Sequence, residues 1–238
     1  MPKLILTRHG QSQWNLENRF TGWWDADLTE KGVAEARKGG RLLSEAGIKP
    51  RFAFTSLQTR AIRTLWLGLE EMGLTWLPVE KSWHLNERHY GALTGLDKGE
   101  TAARHGAEQV HIWRRSYDIP PPAMPADSPY LMTGDPRYAG IDIPQAESLK
   151  LTLERVLPYW QASIVPILQA GTDTIISAHG NSLRALVKHL FQVPDETITD
   201  VEIPTGNPLV IDLDSKLSPT QARYLDGDRA SKLPALPA

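Results

Sequence analysis

Cysteine is absent from the 238 residues. Disulfides, thiolate nucleophiles and cysteine-bound metals are thereby excluded together. Long apolar runs are missing as well, so no segment predicts a membrane span, and the start, Met1-Pro2-Lys3-Leu4, does not read as a secretory leader. Neither sign of charge dominates: 26 basic residues stand against 28 acidic ones, for a formal net charge of -2, and the pI is about 6.4. That balance supplies no global field for nucleic acid or an anionic membrane surface. The G-x-G-x-x-G, Walker A, G-x-S-x-G and H-E-x-x-H signatures are not found. His84 and His89 are five positions apart with no cluster at metal-ligand spacing, so no metal site is expected.

What is present is an ordinary soluble composition, 41 % hydrophobic and 23 % charged, with a mean hydropathy of -0.34. A cytoplasmic setting is the default expectation. Strand and helix patterns alternate. Leu4 to Thr7, Phe52 to Thr55, Trp76 to Val79, Thr174 to Ser177, Leu209 to Ile211 and Ala222 to Leu225 read as strands. Residues 30–46 read as a helix capped by Thr29 and stopped by Gly47; a second runs from Gln58 to Met72 and stops at Gly73. Further helices are expected over 107–116, over 148–168 with a break at Pro158 or Pro166, and over 182–191. The alternation predicts an α/β fold: a three-layer α/β/α sandwich around a mostly parallel sheet. One domain is expected over 1–238, with a proline-rich excursion at about 117–146 and a polar tail from about 227.

Two predicted strands end in the same way. Leu4-Ile5-Leu6-Thr7 runs into Arg8-His9-Gly10, and Thr174-Ile175-Ile176-Ser177 into His179-Gly180-Asn181. A third ends in Thr55-Ser56, with Arg60 one turn into the following helix. Ligands of open α/β sheets collect at the carboxyl ends of the strands. One His-Gly after a strand is an ordinary buried histidine; two of them with Arg8 and Arg60 make an anion pocket that contains a nucleophile. Guanidinium groups present paired donors to phosphoryl oxygens. Gly10 and Gly180 leave room for a phosphate against the backbone, and a helix start near Asn181 adds free N–H groups. Without cysteine, a neutral imidazole is the best nucleophile in the chain for phosphoryl transfer.

Glu87 lies in Leu85-Asn86-Glu87-Arg88-His89-Tyr90-Gly91, among polar and aromatic residues. A carboxyl beside a phosphate can keep its proton and act as general acid; its plainer reading is an ion pair with Arg88. Arg114 and Arg115 stand side by side before the proline-rich stretch, either as a solvated pair or as a clamp on a second anionic group.

The stretches RHGQSQWN, ENRFTGW, TSLQTRAIRT, EKSWHLNERHYGALTGL, EQVHIWRRSYDIPPP and AHGNSLRALVKHL together resemble the 2,3-bisphosphoglycerate-dependent phosphoglycerate mutases of the histidine phosphatase superfamily. The likeness runs from Lys3 to about Leu225. RHG alone indicates the superfamily; NERHYG with the Arg114–Arg115 pair indicates the mutases. The resemblance implies that His9 is the phosphorylated histidine, with Arg8, Arg60 and His179 around the transferring group and Glu87 as proton donor and acceptor. It implies substrate contacts at Ser12, Asn15, Thr21, Gly22, Arg88, His89, Tyr90, Lys98, Arg114, Arg115, Gly180 and Asn181. It further implies interconversion of 3-phosphoglycerate and 2-phosphoglycerate in glycolysis and gluconeogenesis, priming by 2,3-bisphosphoglycerate, no metal, and a homodimer or homotetramer. Ser12 favours mutase over the related bisphosphoglycerate synthases, which tend to carry glycine there. The proline-rich excursion and the tail, with Arg229 and Lys232, are the expected covers of the site. Two other readings compete: a broad phosphomonoesterase using the same histidine, and a phospholigand-binding protein without activity.

Overall fold

The computed structural model describes residues 1–237. Six strands form one sheet: β1 (Lys3–Arg8), β2 (Phe52–Thr55), β3 (Val79–Lys81), β4 (Thr174–Ala178), β5 (Leu209–Leu213) and β6 (Pro219–Tyr224), in the order β3-β2-β4-β1-β5-β6. The pairs from β3 to β1 are parallel; β5 runs antiparallel to both its neighbours. The sheet is therefore mixed, and only β5 is reversed.

Alternation along the central strands assigns their two faces to different helices. Leu4, Leu6, Phe54, Ile176, Leu209 and Ile211 turn to one side. There they meet α6 (Leu149–Tyr159) and α8 (Gly180–Phe191) through residues such as Val156, Leu183 and Leu186. Ile5, Ala53, Ile175 and Val210 turn to the other side, against Leu43 of α2 (Glu30–Glu45) and Leu65 and Leu69 of α3 (Thr59–Met72). The three layers follow from that division.

Local chemistry sets the element ends. Thr29 caps α2 by accepting the Gly32 N–H, and Gly73 closes α3 in the left-handed region at φ 67°. Ser148 caps α6. The long helix expected over 148–168 is divided. Pro158 is carried inside α6; a π-turn over Trp160–Ile164 then leads to α7 (Val165–Gln169), whose first turn holds Pro166. Pro166 has no N–H for the helical ladder, and the widened turn absorbs the gap.

Three expectations need correction. The strand expected at Trp76–Val79 runs instead over Val79–Lys81. Pro78 cannot donate to a ladder, but its carbonyl accepts the Ala53 N–H at 3.0 Å and starts the pairing. No helix is expected between Gly73 and residue 107, yet Lys98–His105 forms α4, capped by Asp97, which accepts from Gly99 and Glu100 N–H; α5 (Ala107–Arg115) follows it. Helix α8 begins at Gly180 rather than Ser182, with His179 as its cap. A short helix, α1 (Gln13–Leu16), lies after His9 and is capped by Ser12.

The stretch over 119–144 is irregular, apart from a 3-10 turn at Pro136–Tyr138. It works as a belt. Tyr130 packs against Trp14 and Trp24, Tyr138 against Trp23, and Tyr138 Oη accepts from Asn86 Nδ2. Arg137 pairs with Asp25 at 2.5 Å. These contacts brace the loops around residues 22–25 and 86 from behind.

Candidate active site

The two His-Gly junctions meet because β1 and β4 are neighbours. Arg8 is in register with Ala178, and the His9 N–H donates to the Ala178 carbonyl at 2.9 Å. The His9 and His179 rings lie 5.0 Å apart between centroids. Thr55 and Ser56, at the end of β2, flank β4 on its other side, so three strand ends converge.

The surroundings of His9 leave one ring nitrogen free. Its Nδ1 lies 2.7 Å from the Gly10 carbonyl. A carbonyl only accepts, so the ring proton sits on Nδ1 and Nε2 keeps a free lone pair. Burial, then Arg60 and Arg8, hold its pKa well below the usual histidine value. The ring is therefore neutral at physiological pH. His179 is held low by burial and the same arginines. Its Nε2 is 2.8 Å from Ser56 Oγ, which accepts the Gln58 N–H at 3.1 Å. The Ser56 proton can therefore go to Nε2 and leave the His179 proton on Nδ1, a buried atom without a partner.

Arg8 and Arg60 are anchored by part of their donor sets. Arg8 Nη1 donates to the Ile203 carbonyl at 2.9 Å; Arg60 donates to the Trp24 and Gly22 carbonyls at 2.9 Å each. Each keeps a buried Nε with no partner. Burial lowers the Arg60 pKa to about 10, so it still carries its charge at pH 7. A buried cation such as Arg60 costs several kcal/mol unless an anion offsets it, and it stands with the half-buried Arg8 beside the neutral His9. The site suits a phosphoryl group.

Gly10 answers to packing rather than to ligand. A Cβ there would lie 2.1 Å from the Gly32 carbonyl oxygen, so helix α2 requires the glycine. Gly180 does lie on the cavity wall; a Cβ at that position would come 3.5 Å from the Arg8 guanidinium and 3.7 Å from Glu87 Oε2.

Glu87 is placed by more than its own neighbours. Its Oε1 accepts from the Arg88 N–H at 2.7 Å and from the Asn181 N–H at 3.1 Å, at the start of α8. Its own N–H donates to Gln58 Oε1 at 2.8 Å. No ion pair joins it to Arg88, whose guanidinium donates to the Arg114 carbonyl and stacks over Tyr90. Behind the loop lies a buried pair, Arg155 and Glu147, at 2.7 Å. Arg155 donates to the carbonyls of Trp83, His84, Asn86 and Glu87; Glu147 accepts the His89 N–H at 2.8 Å. Neither residue stands out in the sequence, because the pair is assembled from α6 and the turn preceding it.

A cavity of about 130 Å³ opens over His9. Arg8, Arg60, Glu87, Gly180, Thr21 and Gly22 line it. Asn15, Tyr90, Lys98, Arg114, Arg115 and Asn181 also line it, so most of the expected contacts converge. Four do not reach the lining. Ser12 is buried and exchanges hydrogen bonds with Asn15, which places that side chain. Arg88 supports Tyr90 from behind. His89 points into the core beside Trp23, with its Nδ1 accepting the Gly91 N–H. His179 sits beneath His9. Conversely, Arg19, Phe20, Arg184 and Glu202 line the cavity although the motifs do not single them out. Arg184 was findable, since it follows Asn181 by one helical turn and donates to its Oδ1 at 2.9 Å. Glu202 carries no sequence signal.

The expected covers lie elsewhere. No residue of 117–146 and none of the described tail lines this cavity. Arg229 is spent on Glu35 and the Thr205 carbonyl, and Lys232 to Pro237 lie along Phe191 to Val201. Among the described residues, no group of three or more His, Asp or Glu is placed to hold a metal ion, and no helix is long and apolar enough to cross a membrane.

The histidine phosphatase superfamily (branch 1) model matches residues 4–218. A protein of Hyphomonas neptunium called 2,3-bisphosphoglycerate-dependent phosphoglycerate mutase is 69 % identical over 237 residues, covering 100 % of both chains. One of the same name from Caulobacter sp. (strain K31) is 65 % identical, covering 99 % of this chain and 100 % of its own. Among solved structures, a mycobacterial glucosyl-3-phosphoglycerate phosphatase complexed with VO3 superposes with a TM-score of 0.72 at 20 % identity, over 97 % of this chain and 100 % of that one. At that identity the likeness concerns the fold.

Proposed function

The chain belongs to the 2,3-bisphosphoglycerate-dependent phosphoglycerate mutases of the histidine phosphatase superfamily (branch 1), and from that premise we propose how its own residues perform the interconversion of 3-phosphoglycerate and 2-phosphoglycerate in glycolysis and gluconeogenesis. The observation that carries the reading is the neutral His9, with Nε2 free, beside two arginines that each keep a buried, unpartnered Nε.

His9 Nε2 attacks phosphorus and holds the phosphoryl group. Arg8 and Arg60 meet the charge that builds on the phosphoryl oxygens, with the neutral His179 packed beneath His9. Glu87 gives a proton to the departing oxygen and takes one from the hydroxyl that attacks next. Arg114, Arg115 and Lys98 suit the carboxylate end of the substrate. Tyr90, Asn15, Thr21, Gly22, Gly180 and Asn181 shape the wall against which the intermediate turns over. 2,3-bisphosphoglycerate, when bound, supplies the phosphoryl group that primes His9. Guanidinium groups provide the positive charge around phosphorus, so the reading gives no role to a metal.

We assign residues 1–238 to one mutase-like unit, acting in the cytoplasm. A homo-oligomer fits the surface: Trp76, just before the edge strand β3, is 73 % exposed. Light scattering at micromolar concentration tests this, and a monomer removes it.

Product analysis tests the function. With a trace of bisphosphoglycerate, 3-phosphoglycerate should yield 2-phosphoglycerate with little inorganic phosphate. Phosphate as the main product would make the protein a phosphatase of the same fold. No product and no phosphoenzyme would leave a binding protein.

A further inference from the structure

Glu202 is the one cavity carboxylate for which the proposed chemistry has no use. Seven arginine and lysine side chains line the cavity, against two carboxylates, Glu87 and Glu202. Glu87 is tied to backbone N–H groups beside Gly180. Glu202 stands on the other flank: its Oε1 is 2.5 Å from Arg115 Nη2, and its Oε2 is 3.7 Å from Arg184 Nη2. Its backbone is pinned. The Val201 carbonyl accepts from Arg184 Nε at 2.7 Å, the Glu202 carbonyl from Tyr224 Oη at 3.2 Å and the Ile203 carbonyl from Arg8 Nη1 at 2.9 Å. Its side chain is 47 % exposed. A fixed backbone thus delivers a solvated carboxylate to the rim of a cationic pocket.

A surface ion pair of this kind contributes little to stability. Its position gives it another consequence. Arg115 cannot meet a ligand anion fully while Glu202 holds it, and any ligand in the cavity faces the negative charge of Glu202. That repulsion grows with ligand charge. A phosphoryl group adds nearly two negative charges, so a bisphosphate is opposed more than a monophosphate.

We propose that Glu202 is a specificity-determining residue: its carboxylate competes for Arg115 and Arg184, and so weakens retention of the bisphosphorylated ligand relative to the monophosphates. The proposal rests on the mutase reading. The reaction needs the bisphosphate to stay long enough to turn over, yet not to be trapped. The other five cations attract both ligands alike; Glu202 trims the excess attraction for the more charged one.

The test is Glu202→Gln, which keeps the shape and the hydrogen-bonding oxygen but removes the charge. Binding is measured calorimetrically in a His9→Ala background, so that no phosphoryl transfer consumes the ligand. At several ångströms across a solvated rim, one charge changes affinity roughly threefold per ligand charge. Kd for 2,3-bisphosphoglycerate should fall about tenfold more than Kd for 3-phosphoglycerate. The difference should shrink in high salt. In the His9 protein, Glu202→Gln should lower KM for 3-phosphoglycerate without raising kcat. Glu202→Ala should tighten the same ligand preferentially, which separates charge from the amide's hydrogen bonds. Equal tightening of both ligands, or weaker binding of both, overturns the proposal and makes Glu202 a brace for Arg115. Isomerisation by the unsubstituted protein is read separately; its failure removes the mutase reading, while the two Kd values still report on Glu202.

Discussion

Replacing Arg155 tests whether Glu87 is positioned from behind. Arg155 is a positioning residue: its own side chain does not line the cavity, yet four carbonyls of the 83–87 loop and the Glu147 carboxylate depend on it. Arg155→Met leaves the buried Glu147 charge without its partner, which costs about 3–5 kcal/mol. For a chain of this length that lowers Tm by on the order of 10 °C. A net stability of roughly 5–15 kcal/mol keeps most molecules folded at 25 °C. Arg155→Lys is the sharper change. It keeps the charge beside Glu147, but an ammonium cannot span the carbonyls that a guanidinium fork reaches. The loop should then drift, and a displacement of about 1 Å at a catalytic group costs roughly 10²-fold. Arg8 and Arg60 keep their anchors, so KM for 3-phosphoglycerate should stay within a few-fold while kcat falls. The assay couples 2-phosphoglycerate formation to an absorbance change well below the measured Tm, with stability taken from urea unfolding of the same preparations. A lysine variant that loses stability but keeps kcat within twofold of the parent would refute the positioning argument and make the pair a brace of the fold alone.

His9→Ala should abolish both turnover and phosphoenzyme, since no other imidazole among the described residues lines the cavity; mass spectrometry after bisphosphoglycerate treatment should show one phosphoryl group on the parent, and a phosphorylated variant would transfer the role to His179. Glu87→Gln should fold and bind normally yet lose roughly 10²–10⁴-fold in kcat; a change of only a few-fold would remove it from proton transfer. Burial lowers the His89 pKa to about 4, with Glu147 opposing and Arg155 adding. The unfolded chain therefore takes up this proton first as pH falls, so its stabilising contribution is complete above pH 6.5 and is lost progressively between pH 6.5 and about 4. By pH 4.5 the loss should be about 2 kcal/mol; urea unfolding of His89→Gln should show that much less acid sensitivity, and parallel pH profiles would contradict the assignment.

The residue pattern by itself determined a good deal. Strand termini written Arg-His-Gly and His-Gly-Asn, the caps Thr29 and Ser148 and the stop at Gly73 are local signals, readable because backbone geometry and hydrogen-bonding chemistry act over a few neighbours. The alternating apolar strands implied a layered sheet, and the chemical types of His9, Arg8, Arg60 and Glu87 suggested phosphoryl transfer before any contact was known. Tertiary structure decided the rest, because it depends on residues far apart in the chain. Only strand order makes β1 and β4 neighbours and brings two imidazoles 5.0 Å apart. Only packing shows that Gly10 serves helix α2, that His89 and Ser12 face away from the cavity, and that the proline-rich stretch braces the site instead of covering it. The Arg155–Glu147 pair and Glu202 were invisible for the same reason. An ion pair or a cavity wall is a property of three-dimensional neighbours, and burial, which moves pKa values and gives such pairs their energies, does not exist until the chain has folded.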